Sequence, residues 1–194
     1  MRIVLGLGNP GRRYAHTRHN VGFRVAEALA GRLGARFRLG PAGEAAEVAQ
    51  GRAGGEEIVI AKPQTWMNAS GLAASRLAAL YGASPSELIV AYDDVALPLG
   101  TIRVRPSGRS AGQKGMESVI RALGTDAIPR VRLGILGERG ETDLADYVLE
   151  SFLPDERESA ETMIERAAEA IFTMMQDGVE KAMNRYNRRE AGPG

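Results

Sequence analysis

The chain is expected to be an α/β protein: a single-domain three-layer sandwich, with a mostly parallel or mixed central sheet flanked by helices and a long C-terminal helix. Three observations lead there. Short strand-type and longer helix-type apolar patterns alternate through most of the 194 residues, the arrangement that places helices on both faces of a sheet. A composition of 44% hydrophobic and 25% charged residues supplies a full core and a solvated surface. The length suits one ordinary domain and is too short for two of typical size. Residues 1–194 are therefore read as one unit, with a loose tail over about 188–194.

Each element has its own signal. Arg2–Gly8 is a short apolar run suited to a buried strand. From Val21 to Leu29 the apolar residues return at helical spacing, and Glu57–Ala61 is strand-like again. Ala69–Tyr81 is a helix closed by Gly82, since glycine adopts the left-handed conformation that helix ends favour. Leu88–Tyr92 reads as a short buried strand, Thr101–Arg105 alternates like a strand with one wet face, Met116–Leu123 is helical, and Arg130–Ile135 alternates again. Pro154–Tyr186 is the long last helix, with Gly178 as its point of interruption. Gly40–Gly55 and Ala191–Gly194 are compositionally loose. In sheets of this kind ligands gather at the carboxyl ends of strands, where Asn9 and Asp93 both fall.

Composition narrows the chemistry. With no cysteine, disulfides and thiolate metal sites are excluded, and with His16 and His19 as the only histidines no structural metal is expected. No apolar run approaches the ~18 residues of a membrane span, and the chain opens on a strand rather than a signal sequence, so a cytoplasmic protein without membrane contact is expected. Net charge is +1, yet the charges are segregated. Arg2, Arg12, Arg13, Arg18, Arg24, Arg32, Arg36 and Arg38 oppose only Glu27, and a second basic stretch runs from Arg103 to Arg132. Between Glu138 and Glu169 the sign reverses. Such asymmetry points to one surface that faces a polyanion.

Several motifs have competing readings. Gly6-x-Gly8-x-x-Gly11 matches the dinucleotide fingerprint, but that motif needs its third glycine at the start of an apolar helix. Here Arg12-Arg13-Tyr14-Ala15-His16-Thr17-Arg18 follows, and no acid closes a second strand at the expected offset, so nucleotide binding is rejected. Asn68 precedes a helix and reads either as its cap or as a site amide beside Trp66, the only tryptophan. His19 and Asp93 are each explicable alone, as a satisfied histidine and a turn residue. Together they form a base, because a carboxylate fixes the tautomer of an imidazole and stabilises the cation it becomes. Lacking a cysteine or a serine elbow, the nucleophile would be water, with Asn9, Asn20 and Asn68 as amides for a carbonyl or oxyanion.

Gly6-Leu7-Gly8-Asn9-Pro10-Gly11, Tyr14, Thr17-Arg18-His19-Asn20-Val21-Gly22, Trp66-Met67-Asn68-Ala69-Ser70-Gly71 and Asp93-Asp94-Val95-Ala96-Leu97-Pro98-Leu99-Gly100 resemble, in order and spacing, the bacterial peptidyl-tRNA hydrolase family, from residue 3 to about residue 187. The resemblance implies an esterase that frees a peptide from the terminal ribose of tRNA, acts without metal or cofactor, and works as a monomer with no obligate protein partner. It implies that His19 activates water, that Asp93 orients His19, and that Asn9 senses an acylated rather than a free amine. It further implies that Tyr14, Trp66, Met67 and Asn68 line the site for the tRNA end and peptide, and that Arg103, Arg105 and Arg132 lie near the tRNA backbone.

The chain departs from the pattern at Ala111-Gly112-Gln113-Lys114-Gly115, where many members read glycine-glycine-histidine-asparagine-glycine. Lys114 removes the asparagine that contacts substrate and brings a cation for a phosphate or an oxyanion, while Gln113 keeps an amide able to bind water. Ala96 replaces a common acid, and nothing follows from it. The alternatives are a non-catalytic RNA-binding module on the same fold and a general esterase of small substrates. Asn9, His19, Asn68 and Asp93 together favour an enzyme, and the flanking basic segments favour a large anionic substrate.

Overall fold

The computed structural model describes residues 1–40, 45–137 and 143–187; the expected loose tail at 188–194 lies outside them. Strand β1 (Arg2–Gly6) leads through two short 3-10 turns, Arg12–Tyr14 and Arg18–Asn20, into helix α1 (Val21–Arg32). Then come β2 (Arg38–Leu39), β3 (Ala46–Ala53), β4 (Glu56–Pro63), α2 (Ser70–Tyr81), β5 (Leu88–Pro98) and β6 (Ile102–Arg105). Helix α3 (Lys114–Leu123), β7 (Arg130–Leu136), α4 (Leu144–Leu149), α5 (Arg157–Asp177) and α6 (Val179–Tyr186) complete the described chain. The strands form one sheet in the order β2-β3-β4-β1-β5-β7-β6. β4, β1, β5 and β7 run parallel, and the antiparallel β3 and β6 flank them, so the sheet is mixed.

Successive residues of a strand point to opposite faces, and β1 uses both. Val4 enters the core built with α1, α5 and α6, where Val25, Leu29, Ile164 and Ile171 are fully or almost fully buried. Ile3 and Leu5 enter the other core, with Leu77 of α2 and Met116 and Val119 of α3. This two-sided burial explains why β1 reads as a continuous apolar run rather than an alternating one. Among the described residues no helix is long and apolar enough to cross a membrane.

The glycines that imitate the dinucleotide fingerprint serve close packing. A Cβ on Gly6 would lie 2.1 Å from the Gly22 carbonyl oxygen, and one on Gly8 would lie 2.7 Å from the Phe23 ring. On Gly22 it would lie 2.4 Å from the Ala91 carbonyl and 2.5 Å from Leu7 backbone. Helix α1 therefore rests directly on the backbone of β1 and β5, which brings the turn that carries His19 against the strand that carries Asp93.

The structure departs from the sequence expectations in three places. The stretch read as loose contains β3, which pairs with β4 over all eight residues; its Ala-Glu-Val-Ala-Gln-Gly-Arg-Ala composition has weak strand preference, and pairing supplies the order. The overlooked signal was Gly54-Gly55, with φ of 58° and 85°, as a two-residue hairpin turn requires. Strand β5 continues to Pro98, so Asp93 and Asp94 are strand residues and not a turn. The last helix is interrupted at Gly178, φ 91°, as expected. Helix α4 was not anticipated.

Replacing Gly22 with Ala is expected to destabilise the protein by about 1–3 kcal/mol, because the contacts lie on backbone that cannot rotate away. Thermal unfolding checks this: Tm should fall roughly 2–4 °C per kcal/mol for a chain of this size, and an unchanged Tm would contradict the packing described.

Candidate active site

Local backbone delivers His19. The Arg18–Asn20 turn runs directly into α1, and hydrogen bonds on both sides of His19 hold it. Asn20 clamps the segment after β1: its Oδ1 accepts from Asn9 N at 2.9 Å, and its Nδ2 donates to Asn9 O at 2.9 Å. Arg18 is buried and donates to Glu156 Oε2 at 2.7 Å, its guanidinium 4.5 Å from the Tyr147 ring centroid and 4.8 Å from that of Phe152. Tyr147 donates to Ile135 O at 2.8 Å and accepts from Gly137 N at 2.9 Å, tying α4 to β7. Reasoning from sequence missed this anchor. Arg18 sits inside a recognisable motif, but nothing in the sequence pairs it with Glu156, 138 positions away.

His19 Nδ1 lies 2.8 Å from Asp93 Oδ2. Asp93 is 2% exposed, whereas the His19 side chain retains 13% of its surface. An ionised carboxylate can only accept, so Nδ1 carries the proton and the lone pair falls on Nε2. The second carboxylate oxygen, Oδ1, accepts from Gln113 Nε2 at 2.9 Å, and Gln113 Oε1 accepts from Met116 N at 2.6 Å, capping α3. Asn9 is buried, with Oδ1 accepting from Met67 N at 2.8 Å. That bond commits the oxygen end of the amide and turns the donor end toward the cleft.

These residues open into a cleft of about 620 Å³, whose lining includes Asn9, His19, Met67, Asn68, Asp93 and Lys114. Leu144, Val148 and Leu149 of α4 form an apolar wall that sequence reasoning did not supply. Trp66 is 54% exposed at the rim, edge-on to Tyr14 with ring centroids 5.8 Å apart. Asn68 is exposed within the 3-10 turn Met67–Ala69 and does not cap α2, whose N-cap is Ala69 without a side-chain bond. The capping alternative for Asn68 is therefore set aside. Lys114 is the first residue of α3 and exposed.

The arginines divide into two groups. Arg132 pairs with Asp94, and Arg103 donates to Asn187 O at 2.7 Å, holding the end of α6 against β6. Arg105 is exposed on the same strand. Much of the N-terminal basic excess is also occupied: Arg24 pairs with Glu161, and Arg32 with Glu165 and Glu169. The charge segregation of the sequence is thus partly an α1–α5 seam.

Replacing Glu156 with Ala leaves the Arg18 cation buried without its carboxylate, a defect that costs about 3–5 kcal/mol. Chemical denaturation should show that loss; a change under about 1 kcal/mol would fit only the weak coupling of an exposed pair and contradict the anchor.

Comparison with known proteins identifies the family. The family described as peptidyl-tRNA hydrolase matches residues 3–193. The chain is 45% identical over 188 residues to a peptidyl-tRNA hydrolase of Chloroflexus aurantiacus, covering 96% of this chain and 99% of that protein. It is 46% identical over 185 residues to one of Mycobacterium tuberculosis, covering 95% of this chain and 96% of that protein. The crystal structure of peptidyl-tRNA hydrolase from Acinetobacter baumannii superposes with a TM-score of 0.90 at 28% identity, over 98% of this chain and 96% of that one. With the fold and nearly its full length matched, the chain belongs to the peptidyl-tRNA hydrolase family.

Proposed function

We propose that this chain hydrolyses the ester between the carboxyl end of a peptide and the terminal ribose of tRNA, recycling the tRNA. The observation that carries the reading is the His19–Asp93 pair, with a buried carboxylate at 2.8 Å and the imidazole facing the cleft. Water gives its proton to His19 Nε2 as its oxygen bonds to the ester carbonyl carbon. The tetrahedral oxyanion is met by amide donors, with Asn68 at the cleft wall the candidate. The bond from carbon to ribose oxygen then breaks, and the imidazolium returns its proton to that oxygen. Asp93 stays ionised and stabilises the cation between the two transfers. General-base catalysis of this kind contributes ~10²–10⁴ in rate. The proposed enzyme works in translation, as a monomer in the cytoplasm.

Asn9 gives the reading its selectivity. With Oδ1 held by Met67 N, its free Nδ2 is a donor. A peptide carbonyl satisfies that donor, whereas a free ammonium brings only further donors and a charge to desolvate. Tyr14 and Trp66 offer ring faces to the unpaired bases of the tRNA end. Arg105, with Lys114 nearer the cleft, is an exposed cation available to phosphates; Arg103 and Arg132 would serve there from their present partners. Gln113, expected as a substrate ligand, has both ends of its amide in use.

Release of an N-acetylated amino acid from its tRNA, compared with the free-amine form, tests the reaction. Hydrolysis of the acetylated substrate alone, lost in His19→Ala with tRNA affinity nearly intact, is the expected outcome. Wild type that binds tRNA without hydrolysis would favour an RNA-binding module, and a large loss of binding in His19→Ala would remove the base assignment. Replacing Arg105 with Ala should weaken binding and lower the dependence of log K on log salt by about one unit; an unchanged slope would exclude it from the phosphate contacts.

A further inference from the structure

We infer that Gln113 is a positioning residue, acting on His19 through Asp93 instead of touching substrate. The inference rests on the hydrolase reading above for its kinetic consequence, and on geometry alone for the coupling.

A buried carboxylate with one oxygen paired can still turn about its last side-chain bond, a torsion with broad preferences. Turning would move Oδ2 off the axis of His19 Nδ1–H and release the imidazole. Gln113 removes that freedom by donating to Oδ1 at 2.9 Å while His19 holds Oδ2 at 2.8 Å. The amide is itself immobile. Its oxygen accepts from Met116 N at 2.6 Å, and its Nε2 lies 3.2 Å from Met67 Sδ. Flipping it would set Oε1 against the Asp93 carboxylate and Nε2 against the Met116 N–H, two repulsive pairs in place of two bonds. Gly115 closes the turn tightly: a Cβ there would lie 2.3 Å from Met67 Sδ and 3.0 Å from Gln113 Oε1. The rigid start of α3 therefore fixes Gln113, Gln113 fixes Asp93, and Asp93 fixes His19.

The position needs a donor at one end and an acceptor at the other. Glutamine supplies both without titrating, and a neutral imidazole also supplies both. Two variants separate positioning from helix capping. Q113E keeps an acceptor for Met116 N and loses the N–H aimed at Asp93. Q113N retains a strong capping group, but its amide, one methylene shorter, does not span to Asp93. For either folded variant kcat on N-acetylaminoacyl-tRNA should fall about tenfold, part of what a positioned base contributes, with KM within about twofold of wild type. Q113H should recover kcat relative to Q113E.

Imidazole nitrogen NMR gives a second readout that needs no turnover. The His19 ring signals should move in Q113E and Q113N while those of exposed His16 stay in place. A raised KM with unchanged kcat would assign Gln113 to substrate and overturn the inference, as would unmoved His19 signals. Wild type that fails to hydrolyse, with His19 signals that still respond, would sink the hydrolase reading and support the coupling.

Discussion

The burial of one carboxylate, Asp93, beside one imidazole is the constraint on which the rest of this site depends. A charge taken out of water is costly unless hydrogen bonds replace its hydration, and Asp93 keeps 2% of its surface. Its oxygens are satisfied by His19 and Gln113, so each partner is required by the buried charge as much as by any substrate. Strand β5 holds the carboxylate firmly because β1 and β7 pair with it on both sides. The glycines at positions 6 and 22 let α1 press against that strand, and Arg18 anchors the turn before α1 in an apolar pocket. The geometry of the His19–Asp93 pair is thus a consequence of the sheet, a helix–strand contact without side chains, and a capped helix meeting at one point.

The electrostatics show why a net charge of +1 says little about the surface. The acidic α5 neutralises Arg24 and Arg32, and Glu156 just ahead of it takes Arg18. Arg130 is buried, its burial lowering the guanidinium pKa, and it donates to the carbonyls of Ile128 at 2.8 Å and Asp126 at 2.7 Å. The buried Arg18 and Arg130 are the arginines that hold the protein together. Among the exposed ones, Arg12, Arg13, Arg105 and Arg109, with Lys114 at the cleft, contribute to the field that a polyanion would meet. Exposed cations are worth little to stability and much to phosphate binding, so the division follows from burial.

Most of the parallel core was legible because its strands are short apolar runs and its helices keep regular spacing. His19 and Asp93 were legible as a pair because so few residues could do their chemistry. The remainder was hidden for physical reasons. Strand β3 is made of small and polar residues and exists through its ladder with β4. Glu156 meets Arg18 only after 138 positions of chain fold back. The task of Gln113 depends on which way an amide faces, which spacing does not encode. The apolar wall of α4 comes from a six-residue helix too brief to show a period.

In the proposed reaction, water held by His19 attacks the peptidyl carbonyl directly, with Asp93 only orienting the base. Single-turnover hydrolysis of N-acetylaminoacyl-tRNA by excess enzyme in ¹⁸O water tests it most directly. Direct attack by water places one ¹⁸O in the released carboxylate on the first turnover and none in the ribose or the protein. Unlabelled carboxylate together with label retained in Asp93 would mean that the aspartate had attacked the ester itself, and would overturn the general-base role of His19.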